Sequence, residues 1–351
     1  MKKPLKRLLP QTVARTGWFP PWSSMVSGVR ARFLKLHPSG RISSAWEWRF
    51  QGMHENTLNF QSRWIDSRQG KLHTLQSKNH QKEPLFFVHG NSLCAAACLP
   101  LLEKLYQAGH PVLASDIRGH GLSTGESSLP LKNWDIFIND IALILKETQS
   151  RPVTAIGHSM GGYFLYAAAA RFPELFSRII LLDPVIFPPG HIFLFRLTQS
   201  LKLKNWFSLP RKTRKKRNFF PDRKSAENHY RGKGMFRFWT EESLQGFLDQ
   251  GLRPLEEGGL ALSCQPELEA RFYESVPTDT WKHAPAINCP VHIIRARTSH
   301  LFAPEAAARL KKKIPCCEIQ TIEKNGHFFP LEDPEATADI ILQRCLKPSS
   351  H

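Results

Sequence analysis

Residues 152–172, PVTAIGHSMGGYFLYAAAARF, change their period in mid-run, and that change constrains the fold more than any other feature of the chain. The first seven residues form a short, nearly continuous apolar stretch, the pattern of a strand buried on both faces. The residues after Ser159 are rich in alanine and aromatics and read as a helix. Between them, Gly157-His158-Ser159-Met160-Gly161 fits G-x-S-x-G in the strand-then-helix context that gives the motif its meaning. A strand that turns at once into a helix forces its central residue into strained backbone, and glycines two positions to either side remove the Cβ atoms that would crowd it. The Ser159 hydroxyl is thereby presented as a nucleophile. The N–H of Met160 lies at a helix N-terminus, where a developing oxyanion is stabilised.

The flanking sequence repeats this alternation. Residues 58–67 and 71–77 flank Arg68-Gln69-Gly70 as a hairpin, and PLFFVHG (84–90) is a wholly apolar strand. Leu99, Leu102, Leu105 and Tyr106 mark a helix that stops at Gly109. Strands follow at 111–116, 152–158, 178–183, 289–296 and 318–323, with helices at 134–148, after Ser159, and near 333–346. Such alternation predicts right-handed crossovers and a mostly parallel sheet covered on both faces. About a hundred residues between 188 and 283 break the rhythm, too many for a plain loop. Their aromatic and basic content predicts an inserted helical cap, with helices near 191–207, 223–231 and 240–250. The expected organisation is a basic extension over 1–57, a core over 58–187 and 284–347, and the cap between them.

The net charge of +18 is confined to two segments. Residues 1–52 hold 10 Lys/Arg against one acid and residues 191–237 hold 14 against two, which leaves the rest slightly acidic. No recognition element accompanies either segment, so specific nucleic-acid binding is not expected. The run RKTRKKR (211–217) reads as a solvated loop, and the cap's apolar residues between Ile192 and Phe207, interspersed with lysines, fit either packing on the core or peripheral contact with an anionic membrane. No apolar run reaches the length of a membrane span. The N-terminus lacks the uninterrupted apolar core of a signal peptide. Seven cysteines without C-x-x-C or zinc spacing favour a reduced compartment and no metal. The expected location is cytoplasmic, with peripheral membrane contact left open; oligomeric state has no sequence signature here.

A serine needs a histidine base and an acid that orients it. Among 15 histidines, His327 in EKNGHFFPLEDP stands in a loop between the last strand and the last helix, with Gly326 permitting a tight turn. His89, His120 and His158 read as structural, and Asp116 likewise. The loop after the apolar strand offers the N–H of Asn91 as a second oxyanion donor. His229, Tyr230 and Arg231, in a glycine-bearing turn of the cap, are candidate substrate contacts.

Taken together, FFVHGN, ASDIRGHGLSTG, GHSMGG and NGHFFPLEDPE occur in the order and rough spacing of the α/β-hydrolase-fold serine hydrolases, which the chain resembles from about residue 58 to 346. The resemblance implies an eight-stranded, mostly parallel sheet flanked by helices, an acyl-enzyme mechanism and no cofactor or metal. The family's usual acid follows the strand corresponding to PVHIIRA, but here that loop reads Arg297-Thr298-Ser299-His300, with no carboxylate before Glu305. The family's alternative place is the end of the preceding strand, where Asp183 stands; Asp183 then orients His327, or else it braces the cap while a water or Glu305 does so. The expected activity is hydrolysis of a small-molecule carboxylic ester or thioester, including one with an apolar acyl group. The vacant usual position also admits a catalytically weak membrane- or polyanion-associated binding protein, and the same residues admit acyl transfer.

Overall fold

A computed structural model of the chain describes residues 59–125, 131, 134–200 and 208–345; the basic extension over 1–57 lies outside them. An antiparallel hairpin, β1 (Phe60–Ser67) and β2 (Gly70–Ser77), leads into β3 (Leu85–Val88), α1 (Leu99–Gln107), β4 (Val112–Ser115), α2 (Asp135–Thr148), β5 (Val153–His158), α3 (Met160–Arg171) and β6 (Phe176–Leu182). The inserted segment holds α4 (Pro189–Ser200), α5 (Ser208–Arg214), α6 (Arg223–Tyr230), α7 (Glu241–Gln250), a short hairpin of β7 (Leu252–Pro254) and β8 (Leu260–Leu262), and α8 (Pro266–Glu274). The main alternation resumes with β9 (Val291–Ala296), α9 (Pro304–Lys313), β10 (Cys317–Ile322) and α10 (Pro334–Cys345).

Eight strands form one sheet in the order β1-β2-β4-β3-β5-β6-β9-β10, parallel from β4 onward. The central strands are apolar throughout because both faces are covered. Phe86, Val88, Ala155, Ile179 and Leu181 pack toward α2 and α3, while Leu85, Phe87, Ile156, Ile180 and Leu182 pack toward α1 and α10. This is the period of two expected of a strand between two helical layers. At about 25 cal/mol per Å², each of these fully buried side chains apart from Ala155 stabilises the fold by roughly 1.5–3 kcal/mol, so the centre of the sheet is a rigid platform for whatever its loops carry.

The inserted segment departs from expectation in two respects, the first being the β7–β8 hairpin among its helices. Residues 211–214 of the basic run are helical, and the run is not a free loop. The Arg214 guanidinium bridges Glu267 and Glu274 on α8 at 2.6–3.1 Å, and Lys216 pairs with the buried Glu269. Acids more than fifty positions away hold the run in place. The segment also lies tightly on the core: a Cβ at Gly246 of α7 would stand 2.1 Å from the Ala96 carbonyl oxygen. Only glycine permits that approach.

Candidate active site

Because β3, β5 and β6 are parallel neighbours, their C-terminal ends emerge on one edge of the sheet. In parallel sheets that edge is where reacting groups collect. The three non-glycine residues with positive φ among the described residues, Ser92, Ser159 and Asp183, all stand there, at φ 62°, 56° and 46°. Backbone of this kind costs on the order of 1–3 kcal/mol per residue and persists only where the surroundings enforce it.

The enforcement at Ser159 is steric. A Cβ at Gly157 would meet the Gly161 carbonyl oxygen at 2.7 Å, and one at Gly161 would meet the carbonyl oxygens of Val88 and His89 at 2.4 Å. The turn is pinned by the Ser159 N–H donating to the Leu182 carbonyl at 2.9 Å and the Val185 N–H donating to the Ser159 carbonyl at 3.1 Å. Met160 opens α3, so its N–H has no acceptor within the helix. On the β3 side, an added Cβ at Gly90 would stand 3.0 Å from the Ser159 Cβ. This sets Asn91 beside the serine.

Ser159, Asp183 and His327 meet. The His327 Nδ1–H donates to Asp183 Oδ2 at 2.6 Å, and the Ser159 hydroxyl donates to His327 Nε2 at 3.0 Å. Asp183 is fully buried, and its other oxygen accepts the Ala296 N–H at 3.2 Å. Glu305 is exposed in the first turn of α9, so the carboxylate on His327 is that of Asp183. The tautomer follows from the partners, since a carboxylate can only accept and the hydroxyl then has a bare Nε2 to donate to. The arrangement can accept the serine's proton at Nε2 while the carboxylate steadies the charge that appears on the ring.

The loop that carries His327 is braced twice. Glu332 Oε2 accepts the Gly326 N–H at 3.1 Å. The His158 Nε2–H donates to the His327 carbonyl at 2.9 Å, and the two rings lie 4.8 Å apart. Burial, and then the nearby His327 ring, hold the His158 pKa well below the usual imidazole range. His158 is therefore a neutral strut. Its sequence neighbour Ser159 gave no hint of this contact, which joins positions 169 residues apart.

Asp116 plays an architectural part. Its carboxylate accepts the N–H groups of Ala95 and Leu122 at 2.7 and 2.9 Å and bonds His73 Nδ1 at 2.7 Å. Burial alone would raise its pKa, but the hydrogen bond from His73, with the His89 ring nearby, reverses this and holds it far below the usual carboxylate range. His120, buried and kept neutral with its pKa lowered to about 3, contacts Asn91 Oδ1 at 3.3 Å.

The residues of the inserted segment singled out by sequence divide. His229 and Tyr230 line a cavity of about 500 Å³ that Ser92 and Leu93 also border, which places it beside the Asn91 turn. Arg231 is not part of that lining. It pairs with Glu227 and Glu241 and serves to fasten α6 to α7. Among the described residues no cluster of three or more His, Cys, Asp or Glu could hold a metal, and no helix is long and apolar enough to cross a membrane.

A family model described as "alpha/beta hydrolase fold" matches residues 83–334. A 2-(acetamidomethylene)succinate hydrolase of Mesorhizobium japonicum is 26% identical over 291 residues, which is 80% of this chain and 94% of that protein. The sn-1-specific diacylglycerol lipase ABHD11 of Danio rerio is 25% identical over 262 residues, 72% of this chain and 74% of its own. Among solved structures, the thioesterase domain from the curacin biosynthetic pathway superposes with a TM-score of 0.65 at 19% identity, covering 81% of this chain and 99% of that one. Likeness at such identity speaks to the fold alone.

Proposed function

The chain belongs to the alpha/beta hydrolase fold family, and from that premise we propose that it is a serine hydrolase cleaving a carboxylic ester or thioester through an acyl-enzyme. One observation carries the proposal: Ser159 Oγ, on a strained turn, lies 3.0 Å from His327 Nε2, whose Nδ1 lies 2.6 Å from the buried Asp183 carboxylate. In the proposed reaction Ser159 attacks the carbonyl carbon and its proton passes to His327 Nε2. The N–H groups of Asn91 and Met160 stabilise the oxyanion. His327 then returns the proton to the departing alcohol or thiol, and water repeats the sequence to release the acid. Residues 188–283 act as the cap over this site.

The apolar part of the cavity lining, Leu93, Met235, Phe236, Phe247 and Leu262, supports an acyl group with apolar character. The diacylglycerol lipase name of one relative supports ester cleavage, and the hydrolase name of another supports hydrolysis more broadly. Asp183 against His327 weakens the alternative of a catalytically idle binding protein, which rested on a vacant acid position. A fluorophosphonate probe should label the folded protein at Ser159 and leave Ser159→Ala unlabelled; folded wild-type protein that takes up no probe refutes the proposal.

A further inference from the structure

The cavity beside Ser92 has walls of two kinds, graded by depth. Leu93, Phe236, Phe247 and Leu262 are each less than a tenth exposed, whereas Arg217 and Lys233 are exposed. The floor is therefore apolar and the rim cationic. A third cation on the lining, Lys216, is neutralised by its bond to the buried Glu269. Arg217 is held in place without being neutralised: its Nε–H donates to the Phe219 carbonyl at 2.9 Å and its guanidinium lies 4.7 Å over the Phe220 ring. Among the described residues Lys233 reaches only the Asn228 carbonyl, at 3.3 Å. Both present spare donors at the mouth. His229 registers the local field, its pKa lowered by partial burial and then by the positive charges of Arg217 and Lys233. A cavity of this size holds a small organic molecule, and the chemistry that satisfies floor and rim together is an apolar chain ending in an anion.

We propose that this cavity takes an amphiphilic substrate whose apolar chain fills the floor and whose compact anionic group, a carboxylate or a phosphate, is held at the rim by Arg217 and Lys233. The inference rests on Ser159 being the nucleophile, because Ser92 on the cavity wall is one residue from the Asn91 donor. Two assays on the full chain test it. In the first, p-nitrophenyl octanoate is compared with its analogue bearing a terminal carboxylate. The carboxylated ester should be preferred in kcat/KM by about tenfold at low salt, the scale of one exposed charge-assisted hydrogen bond. That ratio should approach one at high salt and in the double variant Arg217→Gln/Lys233→Gln, while Arg237→Gln, a cation off the cavity, leaves it in place. In the second, Ser159→Ala is titrated calorimetrically with octanoate, octyl phosphate and octanol. Tighter binding of an anion by about tenfold over octanol supports the proposal, and the tighter of the two anions identifies carboxylate or phosphate. A ratio near one in both assays, or a preference that survives the double variant, overturns it. If neither ester is cleaved, fluorophosphonate labelling at Ser159 decides the nucleophile, and the binding assay alone decides the cavity.

Discussion

Asp183→Asn tests the proposed orienting role of the Asp183 carboxylate with little other disturbance. The residue sits at φ 46°, a conformation that asparagine tolerates better than most residues. The retained Oδ1 can still accept the Ala296 N–H at 3.2 Å, and the Asp183 N–H still donates to the Ile294 carbonyl at 2.7 Å. At the other oxygen the change is a reversal. An amide NH₂ now faces His327 Nδ1 at 2.6 Å, so the ring is driven to the tautomer with its proton on Nε2. That proton points at Ser159 Oγ, 3.0 Å away, and the serine loses its acceptor. The developing imidazolium also loses the buried negative charge. Loss of the correct tautomer lowers kcat by about 10⁴ in serine hydrolases, about 5.5 kcal/mol of barrier. The assay is turnover of a chromogenic ester beside thermal unfolding by circular dichroism, with Glu305→Gln as the control for the other carboxylate considered. Asp183→Asn should melt near wild type and be nearly inactive, and Glu305→Gln should match wild type in both. If Asp183→Asn melts like wild type and keeps kcat within tenfold, the reasoning is wrong.

Two further outcomes follow from the same geometry. Gly161→Ala places a Cβ 2.4 Å from two backbone carbonyl oxygens that cannot yield, so it should destabilise the chain by roughly 3 kcal/mol or more and show as a lower urea midpoint; an unchanged midpoint contradicts it. His120 is neutral in the fold, its pKa lowered from 6.5 to about 3 by burial and then by His89, so the unfolded chain binds the extra proton and stability is lost as pH falls from about 6.5 toward 3. Because His120→Gln escapes that loss, its stability deficit against wild type should be smaller at pH 4 than at pH 7, and a constant deficit would refute the buried-neutral assignment.

What was legible in the sequence was local. The turn around Ser159 is dictated by residues within two positions of it, and the glycine requirement follows from where a Cβ would go. The same holds for the apolar central strands, whose composition reports burial on both faces. What escaped reading depends on partners far away in the chain. Residues 211–214 look like a solvated loop until Glu267 and Glu274 are brought against Arg214. Strands β7 and β8 are three residues each, too short for a period of two to show. Helix α9 is a different case, since Pro304 at its start, Glu305 in its first turn and Lys311, Lys312 and Lys313 in its last are local helix signals.

The Asp183 assignment lies between these cases, and topology explains why. A carboxylate at the end of β6 is adjacent to Ser159 only because β5 and β6 are parallel neighbours, with Leu182 opposite His158. One strand further out, β9 ends at Ala296, and its N–H now donates to Asp183 Oδ1. The backbone of the strand before the loop that carries the family's usual acid thus holds the Asp183 carboxylate in place. Moving the carboxylate back to the loop after β9 would therefore take more than an acid at Thr298 or Ser299. It would also require replacing Asp183 with a residue that satisfies the Ala296 N–H at φ 46° and leaves His327 Nδ1 free. Asparagine meets the first condition and fails the second, so the position of the acid is coupled to the backbone conformation of β6's last turn as well as to the identity of any single residue.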